Sequence, residues 1–132
     1  MSKSKERIKA TGEVFTPSWL VNDMLDKLPP DLFTDPTRTF IDPACGNGNI
    51  LVEVIRRKIE NGSTPYQALS TTYGVDIMED NIAECRRRVF IIAYELNNRQ
   101  CDKSWKEPLK NNIICSNALE SDLETLFGVS KQ

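Results

Sequence analysis

The residues best suited to chemistry lie in one short stretch, Thr39-Phe40-Ile41-Asp42-Pro43-Ala44-Cys45-Gly46-Asn47-Gly48-Asn49-Ile50-Leu51. A few apolar residues run into an acid, then a tight glycine turn, then an apolar pattern of helical spacing. Glycine at positions 46 and 48 removes the side chains that would hold a ligand off the backbone, and permits positive φ. Asp42 offers a carboxylate to something positively charged. Asn47 and Asn49 supply amides where a phosphate-binding loop would carry Lys or Ser/Thr. The stretch therefore predicts a nucleoside-like ligand with a cationic part, held without phosphates.

Several chemistries are disfavoured by what the chain lacks. There is no histidine among the 132 residues, which removes the commonest general base and the Ser-His and Cys-His pairs. The cysteines (Cys45, Cys85, Cys101, Cys115) show no C-x-x-C spacing, so no metal site is expected. All four read as buried free thiols, consistent with a reducing, cytoplasmic compartment. Any catalysis must then work by positioning. The net charge of −2 lacks the basic excess of a domain that grips DNA alone, so DNA contact is expected only indirectly or through a partner. No apolar run approaches the roughly 18 residues of a membrane span, and Met1-Ser2-Lys3-Ser4-Lys5-Glu6-Arg7 has no apolar segment behind it. Residues 1–10 read as a flexible basic arm and 11–132 as one domain.

The elements that must position the glycine turn are legible from periodicity. Thr16-Pro17 predicts a helix start, with Thr16 as N-cap and Pro17 first inside. Leu20, Val21, Met24, Leu25 and Leu28 follow as an apolar stripe, ended by Pro29-Pro30. A polar loop then leads to a strand at 39–42. A second helix runs from Asn49 to about Glu60, with Ile50, Leu51, Val54, Ile55 and Ile59 facing inward. Thr64-Pro65 caps a short helical turn through Leu69. Residues 72–76 form the second strand, again ending in an acid. A third helix covers 79–97, with Ile82, Cys85, Val89, Ile92, Ala93 and Leu96 on one face and Arg86-Arg87-Arg88 largely in solvent. Residues 100–110 read as polar loop, 112–115 as a third strand, and Leu119, Leu123, Leu126 and Phe127 as a brief amphipathic helix. Strand, helix, strand, helix, strand is a βαβαβ unit, hence α/β with a three-stranded parallel sheet and a preceding N-terminal helix. Ligands of such sheets bind beyond the carboxyl ends of the strands. Asp42, Asp76 and the residues after Cys115 all fall there.

A dinucleotide fold fits poorly. The third glycine of G-x-G-x-x-G would be Leu51, and Asp76 lies 28 residues after Gly48, whereas the ribose-binding acid is expected about 20 residues on. Asp42-Pro43-Ala44-Cys45-Gly46-Asn47-Gly48-Asn49-Ile50-Leu51 instead closely resembles the S-adenosyl-L-methionine (AdoMet) motif I of N6-adenine DNA methyltransferases, especially modification subunits of restriction systems. Thr11-Gly12-Glu13-Val14-Phe15-Thr16-Pro17 resembles the motif that precedes it in that family (motif X). Tyr73-Gly74-Val75-Asp76-Ile77 is similar to motif II, and Asn112-Ile113-Ile114-Cys115-Ser116-Asn117-Ala118-Leu119 to motif III. The four stand in order and span about residues 11–119.

The resemblance implies a partial class I methyltransferase (Rossmann-like) fold and a cofactor site drawn from Thr11, Phe15, Thr16, Pro17, Asp42, Pro43, Ala44, Cys45, Gly46, Asn47, Gly48, Asp76, Ile77 and Asn117. In that scheme Thr16 receives the methionine carboxylate at a helix N-terminus. Asp42 and the 46–48 turn hold the methionine amino group. Asp76 accepts both ribose hydroxyls, Ile77 covers the adenine ring, and Asn117 takes the adenine amino group in place of the usual aspartate. Asn47 and Ile50 replace the family's usual Ser and Phe in motif I and leave the glycine turn intact.

The family's motif IV, Asn/Asp-Pro-Pro-aromatic, which binds the target amine and stacks on a flipped base, has no counterpart. The only Pro-Pro is Pro29-Pro30, and Asp42-Pro43 lacks a second proline. No residue is therefore assigned a catalytic role, and the expectation is an AdoMet-binding domain incomplete for catalysis alone. The alternatives are an interaction or AdoMet-sequestering protein, for instance a phage-type modulator of host restriction, and a methyltransferase with another acceptor site. In the complete fold the first strand is central. Here its second edge would stay bare unless the C-terminal helix folds over it, so a homodimer or a larger protein partner is expected along that edge.

Overall fold

The computed structural model describes residues 15–117 and Phe127. Three strands, β1 (Phe40–Asp42), β2 (Thr72–Asp76) and β3 (Ile113–Cys115), form one parallel sheet in the order β1-β2-β3. Their bounds lie within one residue of those expected. The register sets Asp42 level with Gly74, and Asp76 level with Cys115. The carboxyl ends of the strands therefore step along a single edge. Among the described residues β1 pairs only with β2, so it is an outer strand.

Helices α1 (Ser18–Asp26) and α2 (Asp31–Thr34) precede β1; α3 (Asn49–Glu60) and α4 (Pro65–Ser70) join β1 to β2; α5 (Glu79–Leu96) and α6 (Lys106–Asn111) join β2 to β3. Two packed clusters meet at α3. Leu51 and Ile55 join Cys45, Leu69, Cys85, Val89, Trp105 and Ile113 in one. Val54 joins Val21, Leu25, Leu32 and Phe33 in the other. Both strand-to-strand crossovers run the same way along the sheet, so right-handedness places α3 and α5 on one face. That face also receives Phe40 and Ile113. The opposite face carries Ile41, Tyr73 and Ile114, each half-buried, and Phe127 sets its ring against Tyr73 with centroids 5.0 Å apart. The rest of the expected C-terminal helix, the basic arm and Thr11 lie outside the described residues.

Four expectations are corrected. The first helix begins one residue later than its capping signal suggested. Pro17 is extended (φ −68°, ψ 155°), its carbonyl accepts from Leu20 and Val21, and no side chain caps it, so Thr16 is not the N-cap. A residue before proline is pushed out of helical geometry, and here proline itself stays extended too. Residues 31–34, expected in loop, form α2 and bury Leu32 and Phe33. The polar stretch 100–110 contains a 3-10 turn (Lys103–Trp105) running into α6. It was missed because its anchoring residues are sparse: Asp102 accepts the Ser104 N–H at 2.9 Å, and Trp105 sinks into the core edge-on to Phe90. Finally, Cys101 and Cys115 are exposed, and only Cys45 and Cys85 are core thiols. Met24, within its stripe, and Leu96, at the end of its own, also stay partly exposed.

The base of the sheet is held by a residue that lies in phase with the apolar stripe of α3 but carries a charge. Lys58 is completely buried, and its ammonium donates to Arg38 O (2.9 Å), Thr71 O (3.4 Å) and Thr71 Oγ1 (2.7 Å). It thereby ties α3 to the segments that enter β1 and β2. Burial lowers its pKa to about 8. The folded state thus releases this proton at a pH where the unfolded chain, with an ordinary lysine near 10.5, still holds it. Stability from this group must rise with pH between those values. Urea midpoints measured from pH 8 to 10 should climb more steeply for the wild type than for Lys58→Met. Equal slopes would refute the assignment.

Candidate functional site

The glycine turn is built by backbone bonds before any side chain contributes. Cys45 N–H donates to Val75 O at 2.8 Å, fastening the turn to β2, and Gly48 N–H closes it on Cys45 O at 3.0 Å. Gly46 (φ +55°) and Gly48 (φ +96°) are both left-handed, a conformation that glycine permits. Gly48 occupies the N-cap position of α3, so the turn delivers the chain directly into the first helical turn. Beneath it Cys85 packs so closely that a Cβ on Gly48 would lie 2.8 Å from its sulfur. The Cys85 thiol beside Cys45, together with burial, pushes the Cys45 pKa far up, so Cys45 stays a neutral packing thiol.

Phe15, Thr16, Asp42, Ala44, Cys45, Gly46, Asn47, Asn49 and Ile50 line a crevice of about 20 Å³ above this turn. That is room for little more than one water. Phe15 closes it from above, since a Cβ on Gly46 would meet its ring at 3.2 Å. Asp42 uses one oxygen on the Ala44 N–H (3.1 Å), while its buried Oδ2 makes no hydrogen bond. The buried Oδ1 of Asn47 makes none either. Burial raises the Asp42 pKa; the Ala44 bond opposes this, and the negative Asp76 nearby adds to it. Two buried acceptors without donors on one crevice call for a ligand rich in N–H and, beside Asp42, positively charged.

Asp76 is already engaged within the protein. Its Oδ1 accepts from Gly46 N–H at 3.2 Å, and its Oδ2 from Met78 N–H (3.1 Å) and Asn81 Nδ2 (3.0 Å). It therefore braces the turn from β2. A carboxylate has about four acceptor sites, so with three engaged it cannot take two ribose hydroxyls without surrendering an internal bond. Ile77 beside it keeps half its surface open, as an adenine platform would before binding. Ser116 N–H donates to Asp76 O at 3.0 Å, which carries the half-buried Asn117 to the same edge. Pro17 and Pro43 lie exposed at its margin.

The arginine run, expected in solvent, is divided. Arg86 bonds Ile113 O (2.6 and 2.9 Å) and Lys110 O (3.0 Å), fixing α5 to β3. Arg88 bonds Asn47 O and Asn49 Oδ1 at the glycine turn, while Arg87 is exposed. A spacing of 3 from Cys85 to Arg88 was the one available signal, because it places Arg88 one turn beyond a core residue.

Residues 1–122 match the family described as N-6 DNA methylase. The chain belongs to that family. It is also similar to the Type II methyltransferase M.VspI of Vibrio sp. (strain 343), with 36% identity over 78 residues. That match covers 59% of this chain and 16% of the relative, so the chain spans only a small part of that protein's length. No solved structure matches. The three-stranded parallel sheet with its helices agrees with the partial Rossmann-like methyltransferase fold that the family motifs implied.

Proposed function

We propose that this chain binds AdoMet in the manner of an adenine-specific DNA methylase and supplies the cofactor half of a methyl-transfer site. The observation that carries this reading is the buried, unpaired Asp42 Oδ2 above a left-handed glycine turn. The methionyl ammonium brings N–H donors and a positive charge to that oxygen, and the turn lets the ligand approach bare backbone. Family membership supports the cofactor, since N6-adenine methylation draws on AdoMet, whose sulfonium supplies an activated methyl group. Thr16 and Phe15 would close over the methionyl end. Ile77 would cover the adenine, with Asn117 accepting its amino group. Because the crevice is small with Phe15 over Gly46, binding requires the 15–17 segment to lift.

The 132 residues contain no Asn/Asp-Pro-Pro-aromatic sequence. The reading is therefore that methyl transfer requires that motif from elsewhere, seated along the edge of β1 that has no strand partner among the described residues. A non-catalytic role, occupying a methylase or sequestering AdoMet, is the second reading and shares the same site. Calorimetric titration with AdoMet and S-adenosylhomocysteine should give one-site binding. Absence of heat with both ligands would sink the cofactor reading. The purified chain should leave DNA unmethylated, and activity that appears on adding a polypeptide carrying the missing motif would favour the first reading over the second. Asp76→Ala is a poor probe here, because losing the Gly46 brace would weaken binding whether or not Asp76 touches the ribose.

A further inference from the structure

Both ends of the Asn49 amide are engaged, and by segments far apart in the sequence. Its Nδ2 donates to Thr16 O at 2.8 Å, and its Oδ1 accepts from Arg88 Nη1 at 2.7 Å. The same arginine nitrogen donates to Asn47 O at 3.1 Å. One line of bonds thus joins α5, the first residue of α3, the glycine turn and the segment that covers the crevice. The arginine has only donors, so it fixes which way the amide points: oxygen to Arg88, nitrogen to Thr16. A bond from a charged donor also polarises the amide and strengthens its second bond. Arg88 does not line the crevice; it borders a separate groove behind it with Ser18, Val21 and Val52.

We propose that Arg88 and Asn49 are positioning residues for the methionyl end of the cofactor: once the Thr16 segment has lifted to admit that end, they draw it back over the glycine turn and hold it closed on the ligand. This rests on the AdoMet reading above. The bonds of this line reach Thr16, Asn47 and Asn49, all at the β1 end of the site. Asp76, Ile77 and Asn117, which would face ribose and adenine, stand at the ends of β2 and β3. The two halves of the ligand are therefore separable by the choice of probe.

S-adenosylhomocysteine carries the whole amino acid, whereas 5′-methylthioadenosine has the same nucleoside and sulfur without it. Both are to be measured on the wild type, Asn49→Ala, Asn49→Asp and Arg88→Ala, with weak binding of the second read by displacement at millimolar concentration. Asn49→Asp keeps an acceptor for Arg88 and loses the donor to Thr16. Each variant should weaken S-adenosylhomocysteine about tenfold, the order of one lost hydrogen bond, while methylthioadenosine changes by less than about threefold. Urea midpoints of the same variants report whether folding is intact. Equal losses for both ligands, or no loss for either, would overturn the proposal by reducing the line to a structural brace. Failure of the wild type to bind either ligand would instead remove the cofactor reading, and the positioning role with it.

Discussion

Gly48→Ala should destabilise the fold by about 2–5 kcal/mol and abolish cofactor binding at ordinary ligand concentrations. Two separate penalties add. At φ +96° an alanine sits in backbone space that L residues rarely occupy, costing about 1–2 kcal/mol. Its Cβ would also lie 2.8 Å from Cys85 Sγ and 3.3 Å from Cys85 Cα. The sulfur can swing away, but the backbone of α5 cannot, and overpacking of this kind costs about 1–3 kcal/mol. That sum is a large share of a domain's usual margin of about 5–15 kcal/mol. The turn itself would bear the distortion, since Gly48 N–H closes it and Gly48 O accepts the Val52 N–H of α3 at 2.9 Å. Urea unfolding with the double variant Gly48→Ala/Cys85→Ala separates the causes. Measured against Cys85→Ala alone, adding Gly48→Ala should cost less than it does in the wild type, with at least the backbone cost of about 1–2 kcal/mol remaining. A single variant within 0.5 kcal/mol of wild type, a margin of about the usual surface effect, would mean that the turn is not the rigid cradle described.

Asp42→Asn should make the free protein more stable and the ligand complex weaker. In the free protein Asp42 holds a charge in a poor place. Burial and the neighbouring Asp76 raise its pKa, so the folded state binds this proton more tightly than the unfolded chain does. The sign then follows: stability falls as pH climbs from the ordinary carboxylate value, near 3.8, through the raised one. Asparagine removes that dependence, keeps an acceptor for the Ala44 N–H, and puts a donor where the unpaired oxygen was. The gain at neutral pH should be about 1 kcal/mol, read as a rise of a few degrees in Tm. With AdoMet the balance reverses, because the positive amino group loses its charged partner. An affinity loss of about 30-fold, or roughly 2 kcal/mol, is expected by calorimetry. Opposed effects on stability and affinity mark a group kept for binding rather than folding. A fall in Tm with unchanged affinity would show the reverse.

Local order along the chain determined most of what could be read without coordinates. The strand-acid-glycine pattern at 40–48, the acid closing residues 72–76, and the apolar stripes of α3 and α5 announce a parallel βαβαβ unit, and each expected strand lies within one residue of its place. The four motifs point to the N-6 DNA methylase family, to which the chain belongs. These features are local: a glycine of positive φ, a residue periodicity, or an acid at a strand end is written in consecutive positions.

What tertiary structure alone decided depends on residues distant in sequence. Nothing about Lys58 within α3 foretells that Arg38 and Thr71 will surround it with oxygens. The arginine run looks uniform, yet packing of α5 on α3 and β3 gives Arg86 and Arg88 fixed partners and leaves Arg87 exposed. Asp76 was expected to serve a ligand, and the fold employs it first to brace Gly46, because only folding brings the end of β2 beside that turn. Thr16 was expected to cap a helix by its side chain, and its carbonyl instead receives the amide of Asn49. The sequence by itself determined the glycine turn and its charge. Long-range hydrogen bonding decided which residues hold that turn in shape, since a donor and its acceptor need only be close in space.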